Sequence, residues 1–114
     1  PNIIDNHRDH FQTVTDVYHI LKSYTKTNYK ILLYEIWTPH QPNIVIDITD
    51  EFDGKIKLIN IYQSQLHNKN YDYTTAGLNA YRTVYLKSSK GYAESFILLH
   101  NTNDFIKLYE SLIL

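Results

Sequence analysis

The chain has 114 residues, of which 43% are hydrophobic and 20% charged, and this composition is typical of one small globular domain. Eleven Lys and Arg residues are balanced by 12 Asp and Glu residues, so the net charge of −1 argues against a nucleic-acid binder and against a polybasic membrane-surface protein. The absence of cysteine excludes disulfides, cysteine zinc sites and thiol nucleophiles, and it agrees with the cytoplasmic location that we expect.

The first predicted element is a helix at 6–23, where apolar side chains recur every three or four positions at Phe11, Val14, Val17, Tyr18 and Leu21. Asn6 is the expected N-cap, and Asp9 brings an acidic side chain to the positive end of the helix. The residues before it have neither the basic region nor the apolar stretch of a signal peptide. Because the chain begins at Pro1 and contains no Met, we expect it to be part of a longer polypeptide.

Two strands follow the first helix. A polar connection at 23–28 leads to a predicted strand at 30–37, and the two prolines make 38–42 a loop. The second predicted strand, at 43–49, carries an apolar run that suits a sheet covered on both faces. No apolar run reaches the length of a membrane-spanning helix, so no membrane partner is expected.

The second half of the chain alternates in the same way. The predicted elements are a helix at 50–66, a polar loop at 67–75, a helix at 75–87 before Gly91, a strand at 92–99 and a helix at 104–113. This alternation indicates α/β layers with at least some parallel sheet. So few strands make a poor sheet, so either strands have been missed or the chain completes a sheet that begins elsewhere.

The densest polar cluster is the run His7-Arg8-Asp9-His10 at the start of the first helix. The positive helix end favours neutral imidazole, which is the form that binds zinc, and Asp9 could orient one ring through its N–H. In the alternative interpretation, Asp9 caps the helix and both histidines are solvated. Zinc needs three or four protein ligands, and no second cluster supplies them. Asp47 is either an extra carboxylate or the N-terminal partner of the next helix.

Other residues allow two interpretations each. His40, between two prolines, lines a site or belongs to a rigid surface loop. Arg82 contacts either a substrate oxyanion or a structural carboxylate. Ser64 lacks the G-x-S-x-G context of a hydrolase nucleophile. The 11 tyrosines suit sugar binding and equally suit an ordinary core.

Five segments occur in a recognisable order along the chain: H-x-D-H at 7–10, Y-E-I-W-T-P at 34–39 with V-I-D-I-T at 45–49, a K…S-Q helix at 55–66, Y-R at 81–82 and G-Y-A-E-x-F at 91–96. Together they resemble the PIG-L/LmbE-type N-acetylglucosaminyl deacetylases, with the bacillithiol-pathway enzymes nearest. The resemblance spans most of the chain. It implies a Rossmann-like, three-layer α/β fold with a zinc site, and it makes residues 1–114 the carboxyl-terminal part of a single deacetylase domain.

The resemblance also implies roles for individual residues. His10 becomes a ligand of Zn²⁺, and His7 the catalytic histidine that stabilises the oxyanion or protonates the leaving amine. Asp9 holds His7 in its working tautomer. The expected substrate-binding residues are Arg82, His40 and Ser64. The implied partner is an N-acetylated sugar, and assembly into a homo-oligomer is left open.

The chain departs from the family in one large respect. The amino-terminal A-H-P-D-D-E motif, which supplies the remaining zinc ligands and the general base, is absent. We therefore expect the amino-terminal half of the same enzyme as a partner. Thr83 stands where the family has Gly and Tyr62 where it often has His, so the substrate pocket is expected to differ. Two other hypotheses are a sugar-binding or scaffold module that has lost the metal, and a plain α/β domain.

Overall fold

The computed structural model of the chain describes residues 1–24 and 28–114, and within them it confirms a mixed α/β architecture. The elements are α1 (Arg8–Ser23), β1 (Ile31–Tyr34), β2 (Ile44–Asp47), α2 (Phe52–Ile61), α3 (Gln63–Leu66), α4 (Tyr71–Arg82), a 3₁₀ turn (Thr83–Tyr85), β3 (Ala93–Leu99) and α5 (Thr102–Ile113). The predicted connection at 23–28 includes residues 25–27, which lie outside the described residues.

The three strands form one sheet in the order β1-β3-β2, and the expectation of parallel pairing is wrong. β1 and β3 are antiparallel, with Ile31 opposite Leu99 and Tyr34 opposite Phe96. The chain between β2 and β3 is helical, but it leaves and returns at the same end of the strands, because the Ile48 N–H donates to the Tyr92 carbonyl. Alternation of helices and strands alone does not fix strand direction.

Two compact units make up the chain, one formed by residues 1–44 and 95–114 and the other by residues 45–94. The core of the first unit consists of six buried side chains, namely Ile3, Val14, Tyr18, Leu33, Phe105 and Tyr109. α1 and α5 pack together in this unit, where the rings of Tyr18 and Tyr109 stack with centroids 4.2 Å apart. The predicted helices at 6–23 and 104–113 are therefore confirmed as helices. Of the apolar face predicted for the first helix, Val14 and Tyr18 are buried, whereas Phe11 and Val17 are exposed.

Local hydrogen bonds correct two predicted boundaries in the first unit. His7, not Asn6, is the N-cap of α1, because the His7 Nδ1 accepts the Asp9 N–H. Asn6 precedes the helix, and its main-chain N–H donates to the Thr38 hydroxyl. β1 ends at Tyr34, short of the predicted residue 37. The pairing with β3 also ends at Tyr34, and the Trp37 N–H donates to Asp5 Oδ2.

The second unit differs more from its prediction. The helix expected at 50–66 breaks at Tyr62, whose backbone leaves the helical region (φ −82°, ψ 65°) and whose side chain is 66% exposed. Of the predicted stripe, only Phe52 is buried, and it stacks on Tyr92. The loop expected at 67–75 is wrong in its second part, since α4 begins at Tyr71 with Asp72 in the first turn, where the helix dipole favours a negative charge.

One face of β1 is open. Leu33 is 4% exposed and faces the core, whereas its neighbours Leu32 and Tyr34 are 48% and 43% exposed, as the alternation of a strand requires. β2 is also less covered than predicted, because Ile46 is 43% exposed. Among the described residues, none of the helices combines the length and apolarity that a membrane-spanning segment needs.

Candidate functional site

The candidate site forms where the chain enters α1, around the buried carboxylate of Asp5. Its Oδ1 accepts the His7 main-chain N–H at 3.0 Å and lies 3.1 Å from the His10 Nδ1. Its Oδ2 accepts the Trp37 N–H at 3.1 Å. The Asp5 side chain is fully buried and that of His10 is 22% exposed. One carboxylate therefore ties together the start of α1, its first turn and the loop after β1.

The two histidines that the sequence singles out do lie together. The ring centroids of His7 and His10 are 4.5 Å apart, with planes tilted by 34°. The indole of Trp37 packs edge-on against the His7 ring at a centroid distance of 4.9 Å. Two imidazoles in contact and partly exposed to solvent can bind a metal ion or exchange protons with a ligand.

The environment of Asp5 fixes its charge. Burial raises the pKa of the Asp5 carboxyl, but hydrogen bonds from the His7 and Trp37 N–H groups and from the His10 ring outweigh it. The net effect lowers the pKa below its ordinary value, because three donors favour the charged form. A buried negative charge thus lies beside the His10 ring at neutral pH.

Asp9 is joined to His7 through its main chain. The residue is exposed, and its main-chain N–H donates to the His7 Nδ1 at 3.2 Å. The hydrogen bond that orients the His7 ring is therefore an N-cap interaction. The role predicted for the Asp9 carboxylate stays a prediction.

The predicted substrate residues are distributed over both units. His40 belongs to the first unit, is buried, and donates its main-chain N–H to Glu35 Oε1 at 2.8 Å. That contact favours the rigid-loop interpretation. Ser64 and Arg82 belong to the second unit. Ser64 is exposed on α3, which is a single turn long.

Arg82 is buried, with 3% of its surface exposed. Its guanidinium lies over the rings of Tyr81 and Tyr85, 5.5 and 5.8 Å from their centroids. These contacts are cation–π interactions, and they favour a structural role for Arg82 in the second unit. Both alternatives that spacing left open, a substrate oxyanion and a structural carboxylate, stay predictions.

Asp47 ends β2 and is exposed. Its Oδ1 accepts both the hydroxyl and the N–H of Thr49, at 2.6 and 2.9 Å. These two bonds lower the pKa of the Asp47 carboxyl, with the hydroxyl contributing most. The side chain thus stabilises the turn after β2 through Thr49, which precedes α2, and both interpretations of Asp47 stay predictions.

A groove of about 760 Å³ opens in the second unit, beside α2. The apolar side chains of Ile48, Leu58 and Ile59 line it together with the ammonium of Lys55 and the carboxylate of Glu94. Lys55 donates to Glu94 and, at 2.7 Å, to the Oδ1 of Asn79. Its charge is therefore held within the protein, and the groove contains none of the predicted catalytic residues.

The cluster at α1 fits a metal ion only in part. Zinc is bound by imidazole and carboxylate groups, usually with three or four ligands from protein. Among residues 1–24 and 28–114, no group of three or more His, Asp or Glu side chains is arranged to hold a metal. His10, whose Nδ1 is engaged by Asp5, can offer its Nε2 as one ligand, so the described residues fit a fraction of a zinc site.

Asp5 and Trp37 are the residues that the sequence analysis missed. Asp5 lies outside the helix, so helical spacing gives no reason to pair it with His10. A local signal was present, because an Asp two residues before another residue often accepts that residue's N–H. No such signal exists for Trp37, which reaches Asp5 across 32 positions of sequence.

Comparisons of the chain with models of protein families, with curated proteins and with solved structures found no match. Its function is therefore inferred from its own residues. Two observations support that inference, namely the order of the motifs along the sequence and the geometry of the cluster around Asp5.

Proposed function

We propose that the chain is the carboxyl-terminal part of a cytoplasmic, zinc-dependent N-acetyl-sugar deacetylase with a Rossmann-like fold. The substrate is an N-acetylglucosamine-type conjugate, and hydrolysis of its amide releases acetate and a free amine. The remaining metal ligands and the general base come from an amino-terminal polypeptide segment. The observation that best supports the proposal is the pair of adjacent imidazoles, His7 and His10, beside the buried Asp5 carboxylate.

The two histidines have different roles in the proposed reaction. His10, held by Asp5 through Nδ1, offers its Nε2 to the metal. His7 stabilises the oxyanion that forms when the amide is attacked, or protonates the departing nitrogen, which cannot leave as an anion. Zinc, when bound, supplies the Lewis acidity that activates water and the amide carbonyl.

The open face of the sheet supports the idea of a missing segment. Leu32 and Tyr34 are exposed, and across from them on β3 lie Leu98 and Phe96, which are half-buried. A three-layer fold covers both faces of its sheet, and a contiguous apolar face usually marks an interaction surface. In the proposal, the amino-terminal segment covers this face.

The proposal is tested by adding the missing half. The chain is purified alone and together with a polypeptide that carries an H-P-D-D-E segment from a bacillithiol-pathway deacetylase. Zinc content and acetate release from an N-acetylglucosamine conjugate are then measured. We expect stoichiometric zinc and acetate release only from the combined sample.

Two outcomes would contradict the proposal. Full zinc loading and turnover by the isolated chain would refute the two-part site. Failure of a stably combined sample to release acetate would refute the deacetylase activity.

Two variants test the role of His10 in the combined sample. His10→Ala should abolish zinc loading. His67 is an exposed histidine in the second unit, so His67→Ala is the matched control and should change neither zinc content nor acetate release.

A second candidate is a sugar-binding module of the same fold without catalysis. The exposed rings of Tyr73 and Tyr81, at 78% and 63% exposure on α4, favour it, because flat aromatic rings pack against sugar C–H faces. Saccharide binding that survives a chelator and is lost in Tyr73→Ala would support this candidate. Binding that requires zinc would contradict it.

A further inference from the structure

The hydrogen bond to the His7 ring determines which of its nitrogens carries the proton. A main-chain N–H can only donate, and the Asp9 N–H points at His7 Nδ1 at a distance of 3.2 Å. His7 Nδ1 must therefore present a lone pair. In the neutral ring the proton then lies on Nε2, so His7 offers an N–H group through Nε2.

His10 has the opposite arrangement. Its Nδ1 lies 3.1 Å from Asp5 Oδ1, and both oxygens of Asp5 already accept main-chain N–H groups, which favours the ionised carboxylate. A carboxylate accepts and cannot donate, so the proton of a neutral His10 ring lies on Nδ1. His10 therefore presents a lone pair through Nε2.

We infer that Asp5 is a positioning residue, which holds His10 as its Nδ1–H tautomer so that two touching imidazoles present opposite groups through Nε2. The Nε2 of His7 donates a hydrogen bond, and the Nε2 of His10 offers a lone pair. The chemical use of this pair rests on the proposed function, since an amide hydrolase needs both a donor for the oxyanion and a ligand for the metal.

The backbone makes this assignment firm. The Asp5 carboxylate cannot turn away from His10 without losing the N–H groups of His7 and Trp37. Its side chain is fully buried, so water does not compete for these bonds. The same carboxylate thus places the cap of α1 and chooses the tautomer of the ring one turn later.

The test reads the tautomers directly in the 114-residue chain without metal. Two-bond ¹H–¹⁵N correlation spectra are recorded near pH 8.5, about two units above the ordinary histidine pKa of ~6.5. We expect a protonated Nδ1 and a bare Nε2 for His10, and the reverse for His7. His10 in the Nε2–H form would overturn the inference without any variant.

Two variants separate the carboxylates. Asp5→Asn should weaken the preference of His10 for Nδ1–H while His7, held by the Asp9 main chain, keeps its tautomer. Asp16→Asn is the matched control, and it should leave both rings unchanged because this exposed carboxylate of α1 contacts Gln12. A His10 ring unaffected by Asp5→Asn would contradict the inference. If Asp5→Asn does not fold, the wild-type spectra decide.

A second readout separates this inference from the proposed function. In the chain combined with its amino-terminal segment, Asp5→Asn should raise the Kd for zinc about 10–100-fold, as loss of a carboxylate that orients a ligand does. Expected tautomers without zinc binding would leave Asp5 as assigned and refute the deacetylase. Tight zinc binding with His10 in the Nε2–H form, or with the Kd for zinc unchanged in Asp5→Asn, would refute the role of Asp5 and leave the deacetylase proposal standing.

Discussion

The His7 and His10 rings lie 4.5 Å apart at the start of α1, yet each is oriented by a different partner. His7 is held by a main-chain N–H, and His10 by the Asp5 carboxylate. Removing one side chain is therefore expected to have a different effect from removing the other, even though the two rings touch.

In the active assembly, His10→Ala should lose zinc, because it removes a ligand nitrogen. His7→Ala should retain zinc and slow turnover by about 10²–10⁴-fold, the usual size of a lost acid–base or oxyanion contribution. Zinc content by elemental analysis and acetate release distinguish the two. Comparable zinc loss in both variants would make His7 a ligand and overturn the division of roles.

Gly91 is constrained by its backbone and its neighbour. Its φ is +80°, in the left-handed region, and a Cβ placed there would overlap the Thr49 side chain. Gly91→Ala should therefore destabilise the protein by at least the roughly 1–2 kcal/mol that left-handed backbone costs a side chain. Urea unfolding measures the change.

Gly77 in α4 is the control for this substitution. A Cβ there meets nothing within 4 Å, and Ala is favoured over Gly in a helix interior. Gly77→Ala should stabilise the protein by roughly 0.5–1 kcal/mol. Equal effects of the same sign at both glycines would show that the turn at Gly91 does not need its left-handed backbone.

Much of this fold follows from local patterns, and the exceptions share a cause. The helices α1 and α5 are predictable because each has an apolar face that a core covers. The single helix expected at 50–66 fails because Tyr62 and the residues around it have no core against which to pack, so one tight turn suffices to break it.

The candidate site was half predictable. The H-x-D-H pattern identifies His7 and His10, since three positions on a helix start bring two rings together. Asp5 was missed because its role depends on the Trp37 N–H, which only the fold of the loop after β1 brings to it. Likewise, strand direction depends on where a helical unit returns the chain, which no local pattern encodes.

Glu110 makes the stability of the folded protein depend on pH in the acid range. Hydrogen bonds from Lys22 and Tyr18 lower the pKa of the Glu110 carboxyl from its ordinary 4.5. A group whose pKa is lower in the folded state stabilises it above the unfolded pKa, and this contribution is lost as the pH falls below 4.5. Because the pair is partly exposed, the effect is expected to be small.

The comparison that isolates Glu110 is Glu110→Gln, which keeps an acceptor for Tyr18 and removes the charge. The free energy of unfolding, measured from pH 3 to 7, should fall less steeply toward acid in the variant than in the wild type. Adding salt should reduce the difference, since exposed ion pairs are screened. Parallel pH profiles would assign the acid sensitivity to other carboxylates.

Lys55 is the first residue of the K…S-Q segment, and variants of it distinguish a structural role from a catalytic one. Its ammonium donates to the buried Asn79 Oδ1 at 2.7 Å and to Glu94. Lys55→Met should cost about 1–3 kcal/mol, because the Asn79 carbonyl loses a charged donor inside the protein. Glu94→Gln keeps an acceptor and should cost about 1 kcal/mol or less.

Lys57→Met is the control on the same helix, where the side chain is exposed and the change should stay within about 0.5 kcal/mol. Urea unfolding of the three variants gives the order, and acetate release by the combined enzyme gives the second axis. If Lys55 is structural, its loss lowers stability and leaves turnover per folded molecule unchanged. A stable Lys55→Met variant with abolished turnover would instead place the ammonium in the chemistry, because a purely structural role predicts a loss of stability and not a loss of turnover.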